Sequence, residues 1–568
     1  MAELRTRMME VIAQDPGVRR GGRILTTPVK VPWEDLEPGP MGHRVCVVDY
    51  DSSTQTMYKP VRVGENGNAP SRDKELLEDP GFHAKNVYAL VMRTLARFEY
   101  ALGRRVNWGF PAHQLKVVPH AFEEMNAFYS PEAESLAFGY YRTPEGVAFT
   151  CLSHDVVVHE TTHALLDGLR KSFMSPSSPD QAAFHEAFGD IVALLSVFSL
   201  GEVLLTLLGE GAEKRGPRDG LIAKDKVTMH ALMDSVLLGL AEQMGTDAGS
   251  PRAGALRRSV RIEPDEAILN WPEYEEAHAR GEILVAAMMR TFVDVWARRL
   301  EAFGTIEGGY LDLGRVVEEG ATIAEALLTM AIRAIDYTPP IHIEFGDYLS
   351  ALLTADGENR ADDSRYGLRK GLTEWFGKYG IEPASATPDG RWNRPPEPLV
   401  YDNVRFQGLQ TEPIEMFSLL WSNRELLRFD PSAYTRVASV RPCVRISPDD
   451  GLPLRETVAE CIQYVSLLAS ELKQFGLEPP VGMPPDQELS LEGGSTLVLD
   501  EYGGLKFEIY NPLPSKSAPG GNENAQSRLQ HLWDNGGFDR GRSIKARLAT
   551  LHRRRLGLDE RTLRSEVW

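Results

Sequence analysis

The chain has little cysteine, no long uninterrupted apolar run and no excess of positive charge, and each shortage removes a class of function. Cys46, Cys151, Cys443 and Cys461 are only four cysteines in 568 residues, with no close-paired metal or redox spacing, which argues against a disulfide scaffold or a cysteine-built zinc module. Cys443 and Cys461 could face each other across a hairpin, but the simpler expectation is two small apolar residues. The stretch from Met1 to Ala13 lacks an apolar core of signal-peptide length, so export by that route is not expected. The longest apolar stretch, Ile191 to Gly209, contains Gly201 and Glu202 and reads as a buried core helix continuing from Glu186, not a membrane span. A formal net charge of -19 argues against a general nucleic-acid or anionic-membrane binder. The chain contains no internal repeat. These shortages together predict a cytoplasmic protein with neither a nucleic-acid nor a membrane partner.

What is present is a globular composition, 42% hydrophobic and 25% charged, long enough for roughly two to four domains. It is organised around Ser153 to Asp190. The string His159-Glu-Thr-Thr-His163 puts two imidazoles four apart, on one face of a helix, where their ring nitrogens can converge on one ion. Glu160 sits one step round, beside that ion. Ser153 or Asp155 offers the N-cap and Gly168 the stop. After Pro176 and Pro179 a second helix opens around Ser178 to Asp180 and carries Glu186 and Asp190 on one face. Two neutral imidazoles and a carboxylate suit zinc and leave a fourth position open, which is a catalytic arrangement. A second carboxylate one turn on can accept the other ring N–H of a ligand histidine and fix its tautomer.

At these residues the sequence resembles the thermolysin-like zinc metallopeptidases. The matching segments are Asp155-Val-Val-Val-His-Glu-Thr-Thr-His-Ala-Leu-Leu-Asp167 and Glu186-Ala-Phe-Gly-Asp190. The resemblance implies His159, His163 and Glu186 as ligands of one catalytic zinc, Glu160 as general base, and Asp190 as the partner of His159. Asn126-Ala127-Phe-Tyr129 is similar to the family's edge strand, which implies that Asn126 and Ala127 hold the substrate backbone. Ala277-His278-Ala-Arg-Gly-Glu-Ile-Leu-Val is similar to the segment whose histidine stabilises the tetrahedral intermediate, which implies that role for His278, with Glu273 or Glu275 holding its ring. The implied fold is α+β and two-lobed, with a strand-rich N-terminal lobe and a helical C-terminal lobe. The resemblance covers roughly residues 40 to 382 and is strong only around the motifs.

Along the chain, residues 1–40 are rich in Pro and Gly and read as an arm with little regular structure. Residues 41–152 form the strand-rich lobe, with a hairpin over His43 to Tyr58, a helix from Ala84 to Gly103 and strands at Leu115 to Ala121 and Ser135 to Tyr141. Residues 153–384 form the helical lobe, in which paired prolines precede His342, read as structural. Residues 385–437 read as a linker region and 438–512 as a small C-terminal α+β module with a hairpin around Glu501-Tyr-Gly-Gly. Residues 513–568 read as a second linker, Pro512 to Ser527, followed by a basic terminal helix from Asp539 to Trp568.

The expected function is zinc-dependent endopeptidase action on a polypeptide substrate, a zinc-activated water attacking the peptide bond with Glu160 as general base. Two features depart from the family. The loop from Gly168 to Glu186 has no tyrosine to help hold the oxyanion. Asp155 is present for the family's calcium pair, but Val197 occupies the later position, so calcium is not expected at that site. The aminopeptidase branch of the same clan would need a Gly-x-Met-Glu-Asn type strand, which the chain lacks. The alternative from another class is a catalytically weak or inactive zinc-stabilised scaffold acting through the C-terminal module. The C-terminal region laid over the cleft is one candidate for a regulatory contact.

Overall fold

In the computed structural model the described residues are 5–64, 72–144, 146–209, 220–238, 240, 258–306, 308–360, 362–395, 398–402, 404–448, 450–515, 522–535 and 537–538. The mixed α+β character expected from the sequence is observed.

Alternation begins earlier than expected. Thr6–Ile12 pairs antiparallel with Thr26–Pro32, and Met9, Val11, Ile12, Val29 and Val31 are buried against the helix Pro80–Leu102. Residues 5–40 are therefore not an arm but a structural layer of the N-terminal region. The period-two pattern of Thr27, Val29 and Val31 was legible, and Pro28 is tolerated because it faces outward in a two-stranded ladder. Helix Pro80–Leu102 has complete end signals: Asp79 accepts from Gly81 N, Pro80 follows, and Gly103 closes it in the left-handed conformation at φ 67. It lies against a five-stranded sheet in the order Gly146–Phe149, Ser135–Thr143, Leu115–Glu123, Val45–Val47, with Ala127–Ser130 paired to Ser135–Thr143. The hairpin expected over His43 to Tyr58 is smaller. Val45–Val47 joins the sheet parallel to Leu115–Glu123, and only Tyr50–Asp51 and Thr56–Met57 pair, around a turn held by the Asp51 carboxylate.

Among the described residues between 154 and 378 helices dominate, His154–Leu169, Pro179–Phe198, Gly201–Leu208, Ala277–Glu301, Leu313–Ala334, Phe345–Asn359 and Leu368–Lys378 being the long ones, with one short antiparallel pair, Leu221–Ala223 and Tyr310–Asp312, among them. The apolar stretch from Ile191 to Gly209 does not continue as one helix. Leu200 turns extended after Phe198, and the chain restarts at Gly201 with a bend of 77°. Among the described residues no single helix is long and apolar enough to cross a membrane. His342 is buried with Nδ1 2.8 Å from Ser177 Oγ, and burial lowers its pKa to about 3.

The C-terminal module is a four-stranded antiparallel meander, Tyr434–Ile446, Pro453–Leu468, Glu488–Asp500 and Leu505–Asn511. Its alternation sends Leu497 and Leu499 to one face and Val498 to the other, where Val498, Phe507 and Ile509 join the main core. Both stretches expected to be linkers carry helix among their described residues. Within 385–437, Pro413–Ser422 is a helix whose Met416, Leu419 and Leu420 pack on Leu497 and Leu499; Pro413 at its first position was the overlooked start signal. Where the second linker was expected, Asn522–Asp534 is helical and buries Ala525 and Leu529 against Leu472 and Leu491. The basic stretch from Asp539 to Trp568 lies outside the described residues. Cys443 and Cys461 are not cross-strand partners: Cys461 is opposite Val437, and Cys443 opposite Glu456.

A buried ionic network locks the module to the helical region. Asp336 is clamped by Arg104 and Arg445, and Arg445 continues to Glu456. Glu456 also takes Lys506 Nζ at 2.6 Å and Tyr337 OH at 2.7 Å. Arg170, at the end of the His154–Leu169 helix, pairs with Glu460, and Arg441 donates to Leu169 O at 3.0 Å. Burial alone would raise the Asp336 carboxyl, but Arg104, then Arg445 and Arg170, hold it well below the usual carboxylate range. Removing one member of such a group leaves a buried charge uncompensated, at about 3–5 kcal/mol.

Candidate metal centre

The helix His154–Leu169 is buried almost all round, 14 of its 16 residues being buried although half are polar, so it is a core helix held by packing rather than by propensity. Its β-branched threonines are satisfied internally: Thr161 and Thr162 donate to the carbonyls of Val157 and Val158 at 2.6 and 2.7 Å. Ser153 is the N-cap residue but makes no side-chain cap bond; its hydroxyl is taken by Asp15 of the N-terminal layer. Gly168 lies inside the helix rather than ending it, and the position calls for glycine because a Cβ there would stand 1.9 Å from Asn107 O.

The helix Pro179–Phe198 starts where the sequence signals it, with Ser178 accepting from Gln181 N and Pro179 following. Its packing brings the expected ligand residues together. Glu186 Oε2 lies 3.5 Å from His159 Nε2, and Glu186 Oε1 lies 3.6 Å from His163 Nε2. All three side chains are at most 3% exposed. Donor atoms held about 2.0–2.1 Å from a tetrahedral ion are separated by roughly 3.3–3.4 Å, so His159, His163 and Glu186 form a buried group able to hold a metal ion. His159 Nδ1 is 2.8 Å from Asp190 Oδ1. That bond puts the ring hydrogen on Nδ1 and leaves the Nε2 lone pair facing Glu186. The approach of the two helices needs Gly189, since a Cβ there would come within 2.8 Å of His159 Nδ1. Glu160, 1% exposed, follows His159 on the same helix.

His278 also reaches this centre. It begins the helix Ala277–Glu301, which packs along Pro179–Phe198, and its Nε2 is 3.9 Å from Glu186 Oε2. Its Nδ1 is held by Glu276 Oε1 at 2.8 Å, not by Glu273 or Glu275, both of which are exposed. Glu276 is the N-cap, accepting also from His278 N and Ala279 N at 3.0 Å each. Burial would raise its carboxyl, but the His278 ring and the two N–H groups bring it down to about 2. A cavity of about 770 Å³ opens beside His278 and Glu276, lined by Ile262, Ile268, Trp271 and Tyr274 among others.

Asn126 and Ala127 lead into the strand Ala127–Ser130, whose ladder runs to Ser135–Phe138 and which lies against the motif helix. Tyr129 OH donates to Asp167 Oδ2 at 2.8 Å. Burial lifts the Asp167 carboxyl to about 6, against the lowering effect of that bond. Asn126 fixes the strand's start, its carbonyl accepting from Gly139 N at 2.8 Å.

Sequence reasoning missed His185, whose ring stacks on His163 with centroids 4.7 Å apart; its only signal was adjacency to Glu186. The tyrosine-free loop carries the turn Lys171–Met174, with Phe173 buried. Val197 is buried in the apolar core. Compared with known proteins, the chain matches no protein-family model and no curated protein.

Proposed function

We propose that this protein is a zinc-dependent metalloendopeptidase of thermolysin-like, two-lobed architecture. The observation that carries the reading is the convergence of His159 Nε2, His163 Nε2 and Glu186 at 3.5 and 3.6 Å, with Asp190 orienting the first ring. The donor set of two imidazoles and one carboxylate is that of catalytic zinc. Zinc held by it would polarise the scissile carbonyl and lower the pKa of water from ~15.7 toward ~7.

The chain's own groups do the rest. Glu160, a carboxylate next to His159, takes the proton of the attacking water and hands it to the leaving amine. His278, with Nδ1–H directed to Glu276, offers Nε2–H to the oxygen on which negative charge develops. An extended polypeptide adds alongside Ala127–Ser130 by main-chain pairing, which sets the peptide against the motif helix without demanding a particular side chain. The cavity beside His278 has Ile268, Trp271 and Tyr274 in its wall together with Arg258, Arg261, Glu263, Glu273 and Glu282, so it suits a substrate side chain that combines apolar and polar contacts.

The scaffold reading keeps one observation in its favour, the absence of tyrosine from residues 169–185. Incubating the purified chain with an unfolded protein such as casein, before and after metal removal and with zinc restored, separates the two. Cleavage that disappears with the metal and returns with zinc supports the peptidase. Full zinc with no cleavage favours the scaffold.

A further inference from the structure

A second pair of buried histidines lies in the N-terminal region, outside the proposed catalytic machinery. His83 comes from the first turn of helix Pro80–Leu102, His120 from strand Leu115–Glu123, and Cys151 from the turn Thr150–Leu152 just before the motif helix. Their relative exposures are 1%, 1% and 0%, and Cys151 is a free thiol. One ligand atom from each lies within 4.8 Å of the others.

Hydrogen-bond bookkeeping decides what sits between the rings. His83 Nε2 is 3.1 Å from the carbonyl of Leu76, which can only accept, so Nε2 carries the hydrogen. His120 Nδ1 is 2.9 and 3.0 Å from the two oxygens of Asp49, so it too is the donor. The remaining nitrogens, His83 Nδ1 and His120 Nε2, then face each other 2.8 Å apart, and in neutral rings both present lone pairs. Two lone pairs meet at that distance only with a proton between them, and a metal ion can take the proton's place once the nitrogens part toward roughly 3.3 Å. In both rings the outward nitrogen is fixed by a carbonyl or a carboxylate, as metal-bound imidazoles are. The thiol supplies what a proton would not need, a third and softer donor. Burial raises the Cys151 thiol well above its usual range, so it is neutral until an ion displaces its hydrogen.

We propose that His83 Nδ1, His120 Nε2 and Cys151 Sγ form a second, buried metal site for a borderline-to-soft ion, zinc or cuprous copper. Binding forms two metal–nitrogen bonds and one metal–sulfur bond and releases to solvent both the thiol proton and the proton held between the rings in the metal-free protein; no electron is transferred. With a divalent ion the thiolate and the adjacent Asp49 balance the charge. The rings part by a few tenths of an ångström to give each nitrogen a bond of about 2.0–2.1 Å. Phe149, whose ring centroid is 4.8 Å from His83 and 5.1 Å from His120, seals the site. With all three side chains at most 1% exposed, the site is shut off from substrate, and here it ties the residue two before Ser153, the N-cap residue of the motif helix, to the N-terminal helix and sheet.

The test uses the full chain. Purified protein is loaded separately with zinc, with cuprous copper under exclusion of air, and with cobalt(II), alongside His163→Ala and Cys151→Ser. The proposed catalytic site contains no sulfur, so a thiolate-to-cobalt charge-transfer band, or a sulfur neighbour at about 2.3 Å in X-ray absorption, reports on Cys151 alone. Expected are one more bound ion per chain than the His159 site accounts for, a sulfur signal retained in His163→Ala, and its loss in Cys151→Ser. The copper and zinc edges identify which ion the site prefers. If Cys151→Ser does not fold, wild type and His163→Ala still decide. Absence of any sulfur neighbour in metal-loaded wild type overturns the proposal and leaves the proton-bridged pair Asp49–His120–His83.

Discussion

Two pairs of buried histidines stand on either side of the turn Thr150–Leu152, and the contrast between them lies in how far apart the protein holds the donor atoms. At His159 and His163 both Nε2 atoms look toward a carboxylate on another helix at 3.5 and 3.6 Å. At His83 and His120 the inward nitrogens meet at 2.8 Å. Each pair has one ring steadied from outside by an aspartate, Asp190 at 2.8 Å and Asp49 at 2.9 Å. The first pair is kept open by the packing of two long helices, with Gly189 setting their separation. The second is drawn from a helix, a strand and a turn, three separate elements that can part by a few tenths of an ångström. A reaction centre needs the first kind of rigidity, because its geometry must survive substrate binding. A buried structural clasp does not.

The comparison breaks most visibly at the ligands. His163→Ala should reduce polypeptide cleavage to background and lower the zinc content at pH 7, while the sulfur signal of Cys151 persists; elemental analysis and cleavage assays check both. Next in size, His278→Gln should leave zinc content unchanged and reduce kcat by about 10²–10³-fold, the cost of one oxyanion donor; loss of zinc with it would place His278 among the ligands instead. Asp190→Asn should weaken zinc binding by about 10–100-fold in competition with a chelator, as removing an orienting carboxylate does. The smallest effect is on stability. In metal-free protein His83 has a folded pKa of about 3 against ~6.5 unfolded. Below ~6.5 the unfolded chain binds a proton that the folded one does not, so this contribution is fully present above that pH and is lost as pH falls toward 3. The slope approaches about 1.4 kcal/mol per pH unit. Denaturant titrations of wild type and His83→Gln between pH 7 and 4 should diverge accordingly.

The same contrast explains what could be read from the sequence. His159 and His163 share a helix, so their convergence follows from a spacing of four, and Ser178-Pro179 announced the helix that carries Glu186 and Asp190. The C-terminal hairpin around Glu501 followed from alternation and a Gly-Gly turn. His83, His120 and Cys151 belong to three elements, and no periodicity relates them. Glu276 was missed in favour of its neighbours because the partner of His278 depends on which residue caps the helix, a matter of one position. The layer Thr6–Ile12 with Thr26–Pro32 carried its alternation openly, yet its prolines pointed elsewhere; burial under helix Pro80–Leu102, a long-range contact, is what makes it a strand pair. Asp336 gave no sign in sequence of its clamp by Arg104 and Arg445, since the three residues lie far apart in the chain.

The most direct measurement is the cleavage of unfolded casein by wild type and by Glu160→Gln, with the metal content of each determined on the same preparations. Equal zinc in both, with cleavage by wild type alone, is the expected result and joins the metal site to the general base. Cleavage by Glu160→Gln at the wild-type rate, or zinc-replete wild type that does not cut at all, would contradict the peptidase proposal.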